Sequence, residues 1–333
     1  MTYSYEQTKS ANWREIVKSN RRRTIYVLLS FLGIYSGLGL LFDLYFSENS
    51  TYEPAFLLGF FGVSLLVLAG GILWGNKASL AGTNALEVTS DAKDPLQKRL
   101  YNIVEEMKLA ASMRYMPKVY VLQVDYMNAF ACGWSEKNAC VAISKPLLET
   151  LSRDELQAVM AHELTHIRNQ DTRLLLAVSV MANFSIFLID ILFRSVLHGG
   201  KGRSSKNSKN SGGFLLIILA ARIVLPILTS VLIFYLSRKR EFMADAGGVE
   251  LTRDNKSLAN ALLKIHGEHK SQKEKFREAY KETDHESMRS LSYIYDPRSC
   301  GIRNSFNLSE MFSTHPSLEK RLEALGYSKK EER

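Results

Sequence analysis

Four apolar stretches constrain this 333-residue chain more than any other feature: 24–46, 55–75, 174–197 and 213–236. Each has about the 20 residues needed to cross a bilayer as a helix. A hydrophobic fraction of 46% with 23% charged residues would suit a soluble basic protein, but the apolar residues are gathered rather than spread. The pattern predicts a membrane protein with polar regions between and after its spans. The first stretch is too long for a signal-peptide core, lacks a small-residue cleavage site and is soon followed by a second span. It reads as a retained helix.

Charge sets the orientation. Lys9, Arg14, Lys18, Arg21, Arg22 and Arg23 precede the first span, whereas the connector "SENSTYEP" has no lysine or arginine. The positive-inside rule therefore places 1–23 in the cytoplasm, makes 24–75 a two-helix transmembrane hairpin and returns the polar region 76–173 to the cytoplasm. A net charge of +9 suits a domain lying against anionic lipid, and no nucleic-acid module competes for that reading. Cys132, Cys140 and Cys300 are odd in number and lack CxxC spacing, so neither a disulfide framework nor a cysteine metal site is expected. A reducing compartment follows, with Cys132 as a small packing residue.

Between the second and third stretches, Leu96, Leu100, Ile103, Val104 and Met107 recur at helical spacing and predict an amphipathic helix. The segment "KVYVLQVDYMNAFACGWSEKNACVAIS" is rich in β-branched and aromatic residues, with "SEKN" as a turn, and predicts a β-hairpin or a three-stranded sheet. Ser152 precedes Glu155 by three residues, a capping box that starts a helix near Arg153. That helix can run almost continuously into the third apolar stretch. A linker at 198–213, rich in glycine, serine and lysine, should be mobile, and it joins 174–197 to 213–236 as an apolar hairpin. In that hairpin Asp190 and Arg222 should lie at similar depth and pair. The segment 237–333 is polar again, with helices at "KSLANALLKIHGEH" and "PSLEKRLEAL".

The capped helix carries "HELTH". Positions i and i+4 share a helix face, so His162 and His166 can each offer an imidazole nitrogen to one zinc ion. Glu163 then lies beside the ion without binding it, placed to take a proton from an attacking water. A catalytic zinc usually has three protein ligands and one open position, so a third ligand must come from elsewhere. Glu241 and Asp245, also four apart, stand in "SRKREFMADAGG" at the end of the fourth apolar stretch.

Here the chain resembles the HtpX-type membrane zinc metallopeptidases, relatives of the CAAX prenyl endopeptidases. The resemblance runs from the paired amino-terminal spans to "HPSLEKR" and is most specific in HELTH and "SRKREFMAD". It implies a mainly helical α+β membrane protein whose zincin-like protease domain contains a small β-sheet and is assembled from 76–173 and 237–333. It implies Glu241 as third ligand and Asp245 as a carboxylate orienting a ligand histidine. It implies further that Asn128, Ala129, Phe130 and Ala131 form an edge strand against which an extended polypeptide substrate pairs. His315 and Arg321 would stabilise the oxyanion. The activity implied is zinc-dependent endopeptidase action in the plasma membrane (the inner membrane in a Gram-negative cell), with the site facing the cytoplasm. The setting implied is quality control of misfolded or damaged membrane proteins under stress. His198, His266, His269 and His285 have no evident partners and should be surface residues.

Three other readings stand beside this one. An intramembrane protease would place HExxH inside a span, but here Arg168, Asn169, Gln170 and Asp171 follow the motif before the apolar run begins. Prenyl-protein processing would need more apolar segments. A zinc-dependent scaffold without turnover would have no need of Glu163.

Overall fold

The structure, a computed structural model, describes residues 13–46, 53–199, 216, 219–220, 222–224, 240–284, 286–302 and 316–327. The linker from residue 200 onward, most of the fourth apolar stretch, and His285 and His315 lie outside the described residues, as does the side chain of His198.

Helices α1 (Trp13–Phe46) and α2 (Ala55–Leu80) form the expected hairpin. Its corner is built by Asp43, which accepts hydrogen bonds from Phe56 N (2.8 Å) and Leu57 N (2.9 Å) and so caps the first turn of α2 from the end of α1. Gly39 lets the two backbones touch there, since a Cβ at that position would lie 2.6 Å from Phe56 O. Both helices have the length and composition of a membrane span, and only 6% of the apolar window of α2 is buried within the protein. Leu58, Leu66, Leu73 and Trp74 all face outward. Such a surface is compatible with lipid and not with water.

Val27, Phe31 and Tyr35 form a seam at helical spacing on α1. It packs on α6 (Asp171–Gly199), where the Tyr35 hydroxyl donates to Met181 O at 2.8 Å and lies 2.7 Å from Ser185 Oγ. Helix α2 reaches α6 through Gly71 and Gly75. Added Cβ atoms there would meet Val180 at 2.9 Å and Leu176 at 2.7 Å. Small residues four apart permit this close approach. Asp190, expected opposite Arg222, instead accepts from Arg194 Nε at 2.8 Å one turn further along its own helix. An i, i+4 partner is already in reach before the chain returns.

The polar part holds a four-stranded sheet in the order β1 (Leu86–Val88), β2 (Lys118–Leu122), β4 (Cys140–Ser144), β3 (Ala129–Cys132). β3 and β4 are the antiparallel pair around "SEKN", β2 and β4 are parallel, and β1 adds an antiparallel strand that extends the expected sheet by one. Cys132 and Cys140 face each other in the β3–β4 register and form a disulfide with Cα atoms 5.2 Å apart. This corrects the expectation of free thiols: an odd count leaves one cysteine over, Cys300, but does not prevent two cross-strand neighbours from pairing.

Helix α3 (Pro95–Ala110) starts at Asp94, whose side chain accepts from Leu96 N, and buries Leu100, Ile103, Val104 and Met107. After the short α4 (Lys145–Thr150) comes α5 (Arg153–Arg168) with both bonds of the capping box: Ser152 N donates to Glu155 Oε2 at 2.8 Å, and Glu155 N donates to Ser152 Oγ at 3.3 Å. The main core lies between α3, α5, the sheet and α8 (Lys256–Ser271). α5 does not run on into α6. It stops at Asn169, and Gln170 adopts φ 60°, a left-handed conformation that ends a helix. Helix α7 is described over 240–252, and α9 (Lys273–Glu282), α10 (Glu286–Arg289) and α11 (Leu318–Ala324) follow α8.

His269 corrects a second expectation. It continues the apolar face of α8 one turn after Ile265 and is fully buried, with Nδ1 2.8 Å from Ile265 O and Nε2 3.0 Å from Tyr280 Oη. His266 is half-buried and lies 2.7 Å from Tyr295 Oη.

Candidate metal centre

Helix α5 is enclosed on all sides, so its polar residues can persist only if they have a purpose or a partner. His162 and His166 project from one face with their Nε2 atoms 3.2 Å apart. α7 comes close to that face because Gly247 and Gly248 offer no side chain: a Cβ on Gly247 would sit 2.4 Å from Thr165 Cγ2, and one on Gly248 would sit 3.3 Å from His162 N. This contact delivers Glu241, whose carboxylate oxygens lie 3.6 Å from His166 Nε2 and 3.8 Å from His162 Nε2. One ligand atom from each of the three residues lies within 4.8 Å of the others, and all three are buried. Two imidazoles and one carboxylate are a donor set suited to a divalent ion of the zinc type.

Each histidine has its outer nitrogen held. His162 Nδ1 lies 3.0 Å from Asp245 Oδ1, and His166 Nδ1 lies 2.9 Å from Asp171 Oδ2. A carboxylate behind each imidazole would leave its Nε2 available to an ion held in this cluster. Asp245 is held in turn by Arg321, which donates from Nε at 2.9 Å and from Nη2 at 2.6 Å, while Nη1 donates to Ile294 O at 2.5 Å. Arg321 Nη1 is also 3.8 Å from Glu241 Oε2.

Electrostatics favour a cation. Among the described residues, Glu163, Asp171, Glu241 and Asp245 are buried together against the buried guanidinium groups of Arg240 and Arg321. Burial pushes the Glu163 carboxyl up to about 8, a shift that the nearby His166 opposes. Neither Glu163 oxygen has a hydrogen-bond partner among the described residues. Burial alone would depress the His166 imidazole, but Asp171, Glu241 and Glu163 around it push it up to about 9. Burial keeps His162 low, and Arg321 and His162 hold the Asp245 carboxyl below the usual range despite its burial. A divalent ion among these groups would take the place of the protons they retain without one.

β3 borders the site as the terminal strand of its sheet. Its first half already has a partner: Ala129 O accepts from Ile294 N at 2.9 Å, and Phe130 forms an antiparallel bridge with Tyr293. The buried Asn128 side chain serves the same segment, donating to Tyr295 O and Tyr280 Oη, both at 2.9 Å. The Ala131 backbone, in the second half of the strand, lies close enough to the Glu163 carboxyl to influence it.

The structure therefore brings together His162, Glu163, His166, Glu241, Asp245, Arg321 and the strand 128–131, while His315 lies outside the described residues. The sequence reading missed Asp171, taking it only as one of the polar residues before a span. The available signal was chemical: a ligand histidine needs a partner for its second nitrogen, and Asp171 is the acid that follows His166 most closely.

Comparisons with known proteins agree with this geometry. The profile of peptidase family M48 matches residues 95–329. The protease HtpX homolog of Helicobacter pylori (strain J99) is 34% identical over 333 residues, covering 94% of this chain and 98% of that protein. The protease HtpX homolog of Bacteroides fragilis is 35% identical over 266 residues, 78% of each chain. The crystal structure of S. mikatae Ste24p aligns with a TM-score of 0.46 at 17% identity, covering 93% of this chain and 66% of that one, a likeness that adds nothing to the assignment. With a profile match spanning the HELTH helix, Glu241 and Arg321, and with end-to-end relatives above 30% identity, the chain belongs to peptidase family M48 and is a membrane-bound metalloendopeptidase.

Proposed function

We propose that His162, His166 and Glu241 hold one zinc ion and that Glu163 is the general base of peptide-bond hydrolysis. The observation carrying this reading is the convergence of two imidazoles and a carboxylate at one buried point, with the unpartnered Glu163 carboxyl in the same cluster. Bound zinc supplies a Lewis acid that makes water a nucleophile at neutral pH. Glu163 takes the proton from the attacking water and passes it to the leaving amine, a role suited to a carboxyl raised towards neutrality. Asp245 and Asp171 keep the two imidazoles oriented. Arg321 donates twice to Asp245 and once to Ile294 O, which supports a role in holding Asp245 in place. His315 is assigned to the oxyanion through the family resemblance alone.

The substrate is a polypeptide in extended form, pairing with β3 at Ala131 next to Glu163, and resemblance points to membrane proteins that are misfolded or damaged. The basic residues Arg14, Lys18, Arg21, Arg22 and Arg23 in the first turns of α1 support a multi-pass plasma-membrane topology with the site on the cytoplasmic side. The test is Glu163→Gln in detergent-purified protein. Zinc content should stay at one ion per chain, and casein cleavage should fall by about 10²–10⁴-fold, the usual contribution of a general base. Chelator should abolish the parental activity. Full activity in the variant would reject the role of Glu163, and an active protein free of zinc and indifferent to chelator would reject the metal.

A further inference from the structure

The metal cluster does not end at the residues covered by the M48 profile. Asn20, on α1 and fully buried, donates from Nδ2 to Asp171 Oδ1 at 2.7 Å and to Asn169 O at 2.9 Å. Both amide hydrogens are thereby used, and both go to the junction between α5 and α6. The other oxygen of the same carboxylate, Asp171 Oδ2, lies 2.9 Å from His166 Nδ1. A chain of direct contacts thus runs from α1 through Asn20 and Asp171 to a ligand histidine.

We propose that Asn20 is a positioning residue for the metal centre: it fixes the rotation of the Asp171 carboxylate and, with it, the imidazole of His166. This rests on the zinc reading above. A carboxylate has two oxygens and can turn about its stem. An amide clamped on one oxygen leaves the other aimed at the imidazole, as hydrogen-bonded partners behind a ligand histidine do. The bond to Asn169 O ties the same junction, since Asn169 is the residue that caps the C-terminal end of α5. Asn20 lies near one end of the candidate span Val17–Leu44, outside the profile match at 95–329. The first membrane helix is therefore a structural part of the centre as well as an anchor.

The experiment uses the full chain in detergent and reads zinc affinity by competition with a chromogenic chelator, alongside kcat and KM on casein. Asp171→Ala should weaken zinc binding by about 10- to 100-fold, the range seen when the partner of a ligand histidine is removed, and Asn20→Ala, which frees that partner to turn, by up to about 10-fold. kcat at saturating zinc should fall while KM stays within about twofold. Asn20→Gln, which keeps the donor, should recover part of the loss. Thr24→Val, equally buried one turn along α1 and bonded only to Asn20 O, should leave affinity at the parental level. In an Asp171→Ala background, Asn20→Ala should add little, because its route to His166 is already cut. If Asn20→Ala does not accumulate, Asn20→Ser, too short to reach Asp171, takes its place. A zinc affinity within twofold of the parent in these variants would overturn the role of Asn20 and leave the zinc reading intact, whereas a parent that binds no zinc would overturn both.

Discussion

Arg321 is a cation enclosed by protein, and its cost is offset only by what it touches. Its two hydrogen bonds to Asp245 form a fork that a lysine cannot reproduce. Removing it with Arg321→Met would leave Asp245 as a buried, uncompensated carboxylate beside His162, a loss expected to be on the order of 3–5 kcal/mol. Thermal unfolding in detergent should show a large drop in midpoint, and Arg321→Lys should restore little of it. His269 makes a different prediction. Burial brings its imidazole down to about 4, so it is neutral in the folded protein and takes up a proton more readily once unfolded. A depressed histidine leaves stability at its full value above pH 6.5. It removes stability as the pH falls from there to about 4, by about 3 kcal/mol at 1.36 kcal/mol per unit. His269→Gln, which can still meet Tyr280, should flatten the acid limb of a melting-temperature profile across that window. An unchanged slope would show that other groups govern acid sensitivity.

Among the elements, those with a strong period were legible. The spans α1 and α2, the amphipathic α3 and the capped α5 follow from spacing and capping residues that act locally. β1 escaped notice because three residues carry no period. The break between α5 and α6 escaped because it depends on Gln170 taking a conformation that no local rule demands. The disulfide escaped because it depends on register. Packing between elements was equally hidden, as Gly71 and Gly75 show: in the sequence they are two glycines of an apolar stretch, and in the structure they are where α2 meets α6. Gly75→Val would drive its side chain into Leu176 and force the helices apart, at a cost of about 1–3 kcal/mol. Its melting temperature should fall, while Gly59→Val, at a position with open space around it, should behave as the parent.

For the molecule as a whole, the shared face of His162 and His166 could be read from one short motif because i and i+4 spacing is itself the geometry of a helix face, while Glu241 joins their cluster as the family resemblance implies. The residues behind them could not. Asp171 and Asn20 are 151 positions apart, and Tyr295 meets Asn128 across 167, so only the folded chain shows those contacts. His166 is separated from Leu174, the first residue of the third apolar stretch, by little more than the α5–α6 corner.

That corner has a mechanical consequence. With Asn20 on one side and α6 on the other, the His162–His166–Glu241 cluster is tied directly to two apolar helices. On the proposed function, a client anchored in the bilayer that those helices cross would have to bring its own slack, at roughly 3.3 Å for every extended residue. In a series of reporters whose loose tail is lengthened stepwise, cutting should begin abruptly at a minimum length, and a smooth rise from the shortest tail would mean that the cluster is not held at a fixed height.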